Sequence, residues 1–325
     1  MSRILSQLLA LAVASCAMIS SAHAEDLVRL GNLKFAHYGA ISYMKEIAPK
    51  YNLKIDERMF AKGIDITPAI VSGQIDIAAS AVDAAIAGRA QGVPTFVVAG
   101  FAEGGARIVV GKNSNIKSIS EFKGKKVGVA RGGAHELLLF AELNKYNLTW
   151  SDKPGKDVQI VYMAFADLNQ ALNAGDIDAM AQSEPQASQA ISQGFGVELL
   201  KPYDTELGMP VRALVMTEEM YKNKPDVAKR VLQLFVEATK TFIENPALAE
   251  KYVREQMFKG QITSQDYKDA IGNSPFTYNI TVEHVQKTTD LMQKYNVGRM
   301  ANPPVAKDWV KLDQLEAAKA AIGAK

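Results

Sequence analysis

Cysteine is nearly missing: the 325-residue chain has one, Cys16, inside an N-terminal apolar stretch. If processing removes that stretch, the mature chain has no thiol, which excludes disulfides, thiolate nucleophiles and cysteine-held metals. Histidine is scarce, with four in the chain, and His37, His135 and His284 are too scattered in sequence to form a ligand motif. Excess charge is also lacking, since 37 basic residues against 35 acidic ones leave +2. No long basic run and no interleaved basic and aromatic residues occur, so no nucleic-acid partner is expected. H-E-x-x-H, G-x-S-x-G and a Walker lysine followed by Ser or Thr are all missing. No catalytic residue, no metal and no cofactor are therefore expected.

What is present begins with an address. Arg3 gives a basic start, Ile4 to Ile19 an apolar core, and Ala22-His23-Ala24 a small-x-small site, so residues 1–24 read as a secretory signal peptide and the mature chain as starting at Glu25. Val13-Ala14-Ser15-Cys16 resembles a relaxed lipoprotein box, but the apolar run continues beyond it to Ile19. After residue 24 no apolar run is long enough to cross a bilayer. The expected location is periplasmic, with lipid anchoring at Cys16 as the less favoured alternative.

The remainder alternates between short β-branched runs and helical spacing. Strands are expected at Leu27 to Leu33, Leu53 to Met59, Ile75 to Ala79 and Thr95 to Phe101, then at Ile108 to Gly111, Lys125 to Ala130, Val158 to Tyr162 and Ile177 to Ala181, with helices between them. This pattern predicts α/β architecture with mostly parallel sheets covered on both faces. Two segments match, Ala69-Ile70-Val71-Ser72-Gly73-Gln74-Ile75-Asp76 and Ala171-Leu172-Asn173-Ala174-Gly175-Asp176-Ile177-Asp178. In each, glycine is expected to take the left-handed position that stops a helix, with Ile-Asp opening the next strand. The chain thus reads as two similar lobes. Past one more strand, Val211 to Met216, the sequence is almost all helical. With crossings near Arg107 to Val110 and Val211 to Met216, lobe 1 is expected over 25–107 plus 212–325 and lobe 2 over 108–211.

The stretch KKVGVARGGAHELLLF, Lys125 to Phe140, holds the most chemistry. A strand running through Arg131, Gly132, Gly133 and Ala134 into a helix leaves backbone N–H groups aimed at one spot, backed by the helix dipole. Such a spot attracts anions, and Arg131 adds a forked donor. The alternative is a plain glycine connection. His135, in the first helical turn, is read as an ordinary solvated histidine.

Phe122-Lys123-Gly124-Lys125-Lys126-Val127-Gly128-Val129, the glycine turn, the G-x-I-D-A segment and Glu184-Pro185, together with the export signal, resemble the aliphatic-sulfonate, nitrate, taurine and thiamine-precursor substrate-binding proteins of ABC importers. The resemblance covers essentially the whole mature chain. It implies a type II periplasmic binding fold: two doubly wound α/β lobes that close on a ligand in the cleft between them, with a helical C-terminal segment. It further implies a small-molecule ligand, an ABC transporter permease in the inner membrane as partner, and a monomer.

The pocket of that family maps here onto Phe35, His37 and Tyr38 after the first strand, Gly63 and Asp65, then Ser80 and Asp83. From the other lobe it takes Arg131, Gly132, Gly133, Ala134 and Glu184. Arg212 joins them as a second candidate anion clamp. Strand carboxyl ends are also where an open α/β sheet binds ligands on physical grounds. For Arg131 and Arg212 the alternative is pairing with a neighbouring carboxylate, and for Asp83 and Glu184 the role of first-turn acids. Glu103-Gly104-Gly105 departs from what sulfonate binders lead one to expect. Asp65, Asp83 and Glu103 make the cleft less cationic, which favours a zwitterion, a small carboxylate or a polar heterocycle over an inorganic anion. Two other readings remain: an enzyme like the thiamine-pyrimidine synthases, whose cysteine cluster this chain lacks, and a solute-sensing ectodomain.

Overall fold

The structure is a computed structural model that describes residues 25–324. The expected signal peptide over residues 1–24, with Cys16, lies outside them. The first half opens with β1 (Asp26–Leu33), α1 (Gly39–Ile47), β2 (Leu53–Phe60), α2 (Thr67–Val71), β3 (Ile77–Ala81), α3 (Val82–Ala90) and β4 (Thr95–Glu103). A second series follows with β5 (Ala106–Gly111), β6 (Lys126–Val129), α4 (Ala134–Lys145), β7 (Trp150–Ser151), β8 (Val158–Tyr162), α5 (Phe165–Ala174), β9 (Ala179–Ser183), α6 (Gln186–Ser192) and β10 (Gly196–Leu200). The chain then returns through β11 (Val211–Thr217) to α7 (Glu218–Asn223), α8 (Pro225–Glu244), α9 (Pro246–Tyr252), α10 (Ser264–Asn273), α11 (Val282–Lys294), α12 (Ala306–Trp309) and α13 (Asp313–Ile322).

These strands form two sheets, ordered β2-β1-β3-β11-β4 and β10-β5-β9-β6-β8-β7. Each has a parallel portion and an antiparallel insert: β11 lies between β3 and β4, and β5 between β9 and β10. The expectation of mostly parallel sheets holds with one exception in each, because only β11 and β5 run against their neighbours. The central strands are buried on both faces, as β11 shows with every residue from Val211 to Met216 covered, and so read as near-continuous apolar runs. α8 buries Ala228, Val231, Leu232, Phe235, Ala238 and Phe242, a three-and-four spacing that lays one stripe on the first sheet's helices.

The crossings also differ from expectation. Ala106 and Arg107 already pair with Ser183 and Gln182 in the second sheet, so the first crossing is Gly104-Gly105, both at positive φ (65° and 79°). The second crossing runs through residues 201–210, between β10 and β11. β7, β10 and α7 were not expected.

The matched repeats hold in the way anticipated at glycine and differ at aspartate. Gly73 and Gly175 take φ of 69° and 78°. The Ile-Asp pairs stand immediately before their strands rather than inside them, since β3 starts at Ile77 and β9 at Ala179. The reason is that each aspartate is spent on the neighbouring parallel strand. Asp76 N–H donates to Arg29 O and Asp178 N–H to Lys126 O, both at 2.9 Å. In return, Arg29 N–H donates to Asp76 Oδ2 and Lys126 N–H to Asp178 Oδ2, again at 2.9 Å. Two copies of one clamp fix the register of β1 with β3 and of β6 with β9.

Candidate functional site

A cavity of about 40 Å³ lies between the two sheets. The first sheet's half gives it Phe35, His37, Tyr38, Gly63, Asp83 and Arg212. The other half gives Arg131, Gly132, Gly133 and Ala134. The loop after β1 makes a single 3-10 turn, Ala36–Tyr38, which buries His37 and Tyr38. Tyr38 packs edge-on against Phe101 at 4.8 Å, and Phe35 meets Phe165 of the opposite half at 5.4 Å. Gly63 passes close over β3: a Cβ there would stand 2.3 Å from Ser80 Oγ.

Asp83 sits in the first turn of α3 and is fully buried, and neither of its carboxylate oxygens has a hydrogen-bond partner among the described residues. Burial pushes its pKa up to about 7, against the pull of Arg212 and of its own backbone N–H. Arg212 comes from β11 and is 2% exposed. Its Nη2 donates to Gly104 O at 2.9 Å, while Nε is unpartnered among the described residues. Among the described residues His37 has no partner at either ring nitrogen, and burial, with Arg212 and His135 nearby, holds it neutral with a pKa well below the usual range. One wall of the cavity thus carries several polar groups that the chain itself leaves unpaired, an arrangement that costs free energy unless something else completes it.

The glycine turn is different. Gly132 N–H donates to Glu136 Oε2 at 2.6 Å, and Tyr162 Oη donates to Glu136 Oε1 at 2.5 Å. Arg131 pairs with Asp152 at 3.0 Å and lies over the Tyr162 ring at 3.5 Å. The anion expected at this turn is the chain's own Glu136, buried four residues downstream. A Cβ built on Gly133 would lie 3.8 Å from Asp83 Oδ2, so the turn faces that carboxylate across the cavity.

The remaining expected residues stand elsewhere. Asp65 is exposed in the 3-10 turn Gly63–Ile66. Ser80 lies beneath Gly63, beside a separate space of about 20 Å³. Glu184 is buried and engaged: it lies 2.5 Å from Arg107 Nε, accepts from Asn273 Nδ2 at 3.0 Å and from Ser188 Oγ at 2.7 Å. Arg107 in turn reaches Asp269 of the other half at 2.9 Å, so this cluster joins the halves rather than lining the cavity.

His135 corrects the expectation of a solvated side chain. It is 4% exposed, its Nε2–H donates to Gly105 O at 3.2 Å, and burial pushes its pKa down to about 3. A first-turn histidine is ordinarily outside, but here the Gly104-Gly105 crossing and the Phe165 ring, 4.9 Å away, pack against it. Lys62, Ile64 and Phe165 also line the cavity. Phe165 follows β8, so the strand-end rule applied to that strand would have found it. A second, wider space of about 420 Å³ adjoins the first and shares Lys62, Ile64, Arg131 and Gly132 with it; Phe140, Trp150, Tyr162 and Tyr295 give it aromatic walls. Among the described residues no cluster of three or more His, Cys, Asp and Glu could hold a metal ion, and no helix is long and apolar enough to cross a membrane.

A protein of Brachyspira hyodysenteriae named for an ABC transporter periplasmic binding role is 25% identical over 301 residues, covering 86% of this chain and 84% of that one. The periplasmic aliphatic sulphonate binding protein SsuA of Escherichia coli superposes with a TM-score of 0.74 at 21% identity, over 88% of this chain and 92% of its own. The periplasmic nitrate-binding protein NrtA of Synechocystis gives 0.72 at 16% identity, over 91% and 89%. The fold is the two-lobed α/β periplasmic-binding fold with added C-terminal helices. A match to the NMT1-like family runs over residues 26–254, well beyond half of the 325, and the chain belongs to that family.

Proposed function

We propose that this chain is an extracytoplasmic solute-binding protein, which captures a small polar molecule by lobe closure and delivers it to the permease of an ABC importer. The two moving bodies are read as the two sheets with their helices, divided at Gly104-Gly105 and within 201–210. The observation that carries the reading is the cavity between them, lined by Asp83, His37 and Arg212 with hydrogen-bonding capacity unspent among the described residues. A group that completes these bonds only when the halves are together makes binding and closure one event. Binding rather than catalysis is supported by the relatives' names. Periplasmic location and monomeric action belong to the same proposal.

The test is thermal unfolding across a panel of sulfonates, carboxylates, amines, amides and pyrimidines, with mass spectrometry of each compound afterwards. A ligand that binds only the folded protein raises the midpoint. A rise with at least one compound, recovered unchanged, is expected. No rise with any, or consumption of one, would overturn the proposal.

A further inference from the structure

The unpaired groups of the cavity are not equivalent, and their chemistry restricts the solute. Asp83 has two acceptor oxygens, fully buried and unpartnered among the described residues. What faces it, the Gly132-Gly133 turn, has its own requirement met by Glu136. An oxyanion at this turn would compete with Glu136 for Gly132 N–H and would stand against Asp83. A group with N–H donors would complete Asp83 and leave Glu136 in place. Arg212 Nε, unpartnered on the same wall, calls for one acceptor. Beyond the cavity, the adjoining space continues past Lys62 and Arg131 to Trp150, which stacks with Phe140 at 4.8 Å and meets Tyr295 of the other half at 6.1 Å.

Building on the solute-binding reading, we propose that the solute carries a head with N–H donors, an amide, amidine or protonated amine, against Asp83, and a flat or apolar body in the aromatic space bounded by Trp150 and Tyr295. Selection against oxyanion heads then comes from Asp83 and Glu136 together, since either carboxylate repels a second one. Burial keeps the Asp83 proton until about pH 7, so a donor head gains most when it arrives as the carboxyl ionises.

Three probes with one ring and different heads test this: benzamide, benzamidine and benzenesulfonate, titrated by calorimetry against the mature protein at pH 8. Binding of at least one N–H probe, about tenfold or more tighter than benzenesulfonate, is expected. Asp83→Asn is expected to lower benzamidine affinity about tenfold and to narrow the discrimination against benzenesulfonate. Trp150→Ala is expected to weaken every bound probe by a similar factor, because it reads the shared ring, with Trp150→Phe restoring most of the loss. Unliganded unfolding midpoints establish that each variant folds. Benzenesulfonate binding tightest, or an unchanged ranking in Asp83→Asn, overturns the proposal. So does silence from all three probes while a sulfonate or carboxylate of the broad panel binds, and in that case the solute-binding reading survives. Silence from every compound in both panels removes that reading and this one with it.

Discussion

The two walls of the cleft are built from the same strand-turn-helix grammar and end in opposite electrostatic states. On the wall of the first sheet, Asp83, His37 and Arg212 are buried with donors or acceptors unspent. On the facing wall, Gly132, Glu136, Tyr162, Arg131 and Asp152 satisfy one another. An unsatisfied buried group is costly and a satisfied one is close to neutral, so the first wall holds the free energy that a solute can recover. Selectivity is thus expected from the half that includes the C-terminal helices, and closure from the other.

Removing a satisfied charge should cost most. Arg107→Met leaves Glu184 buried without its cation and cuts the contact to Asp269, and a loss of about 3–5 kcal/mol in urea denaturation is expected. On the unsatisfied wall the sign should reverse. Asp83→Asn removes a buried carboxyl whose pKa has climbed from 3.8 to about 7, and should stabilise the unliganded protein at pH 8 by on the order of 2–4 kcal/mol. Glu136→Gln, a satisfied carboxylate opposite it, should instead destabilise by about 1–3 kcal/mol. A gain in Glu136→Gln or a loss in Asp83→Asn would erase the contrast between the walls.

The pH profile sharpens it. Between about pH 4 and pH 7 folded Asp83 keeps a proton that the unfolded chain has released, so its contribution falls as pH rises. The advantage of Asp83→Asn should therefore be absent near pH 4, grow to about pH 7 and stay level above it. His37 and His135 act in the opposite sense: the unfolded chain takes up protons below about pH 6.5 that the buried rings refuse, so the stability they lend above that is lost on acidification. Unfolding midpoints of wild type and variant across pH 4–9 would show both trends. The smallest effect is expected at Arg131→Ala, whose exposed pair with Asp152 is worth under about 1 kcal/mol. Its solute affinity should change far less than that of Asp83→Asn.

Much of the fold was legible because it rests on local patterns. Gly73 and Gly175 stop helices in the left-handed conformation, and the apolar runs of β4 and β11 mark buried strands. Asp76 and Asp178 could be seen as a repeat, yet their clamp role could not, because each is bonded to a strand remote in sequence. In the site, Phe35, His37, Tyr38, Gly63, Asp83 and the glycine turn were recognisable from their positions at strand ends. Glu184 obeyed the same rule and still faces away, held by Arg107 and Asn273.

The amino-acid order alone settled the alternation of strands and helices, the doubled lobe and the neighbourhood of the cleft, because periodicity and turn chemistry act over a few residues. Tertiary structure alone decided that Glu136 occupies the turn that looked ready for an anion, that His135 is covered, and that Asp83 is left without a partner. Those outcomes depend on which side chains from distant segments arrive at one buried point, where each donor or acceptor has only a few neighbours within reach.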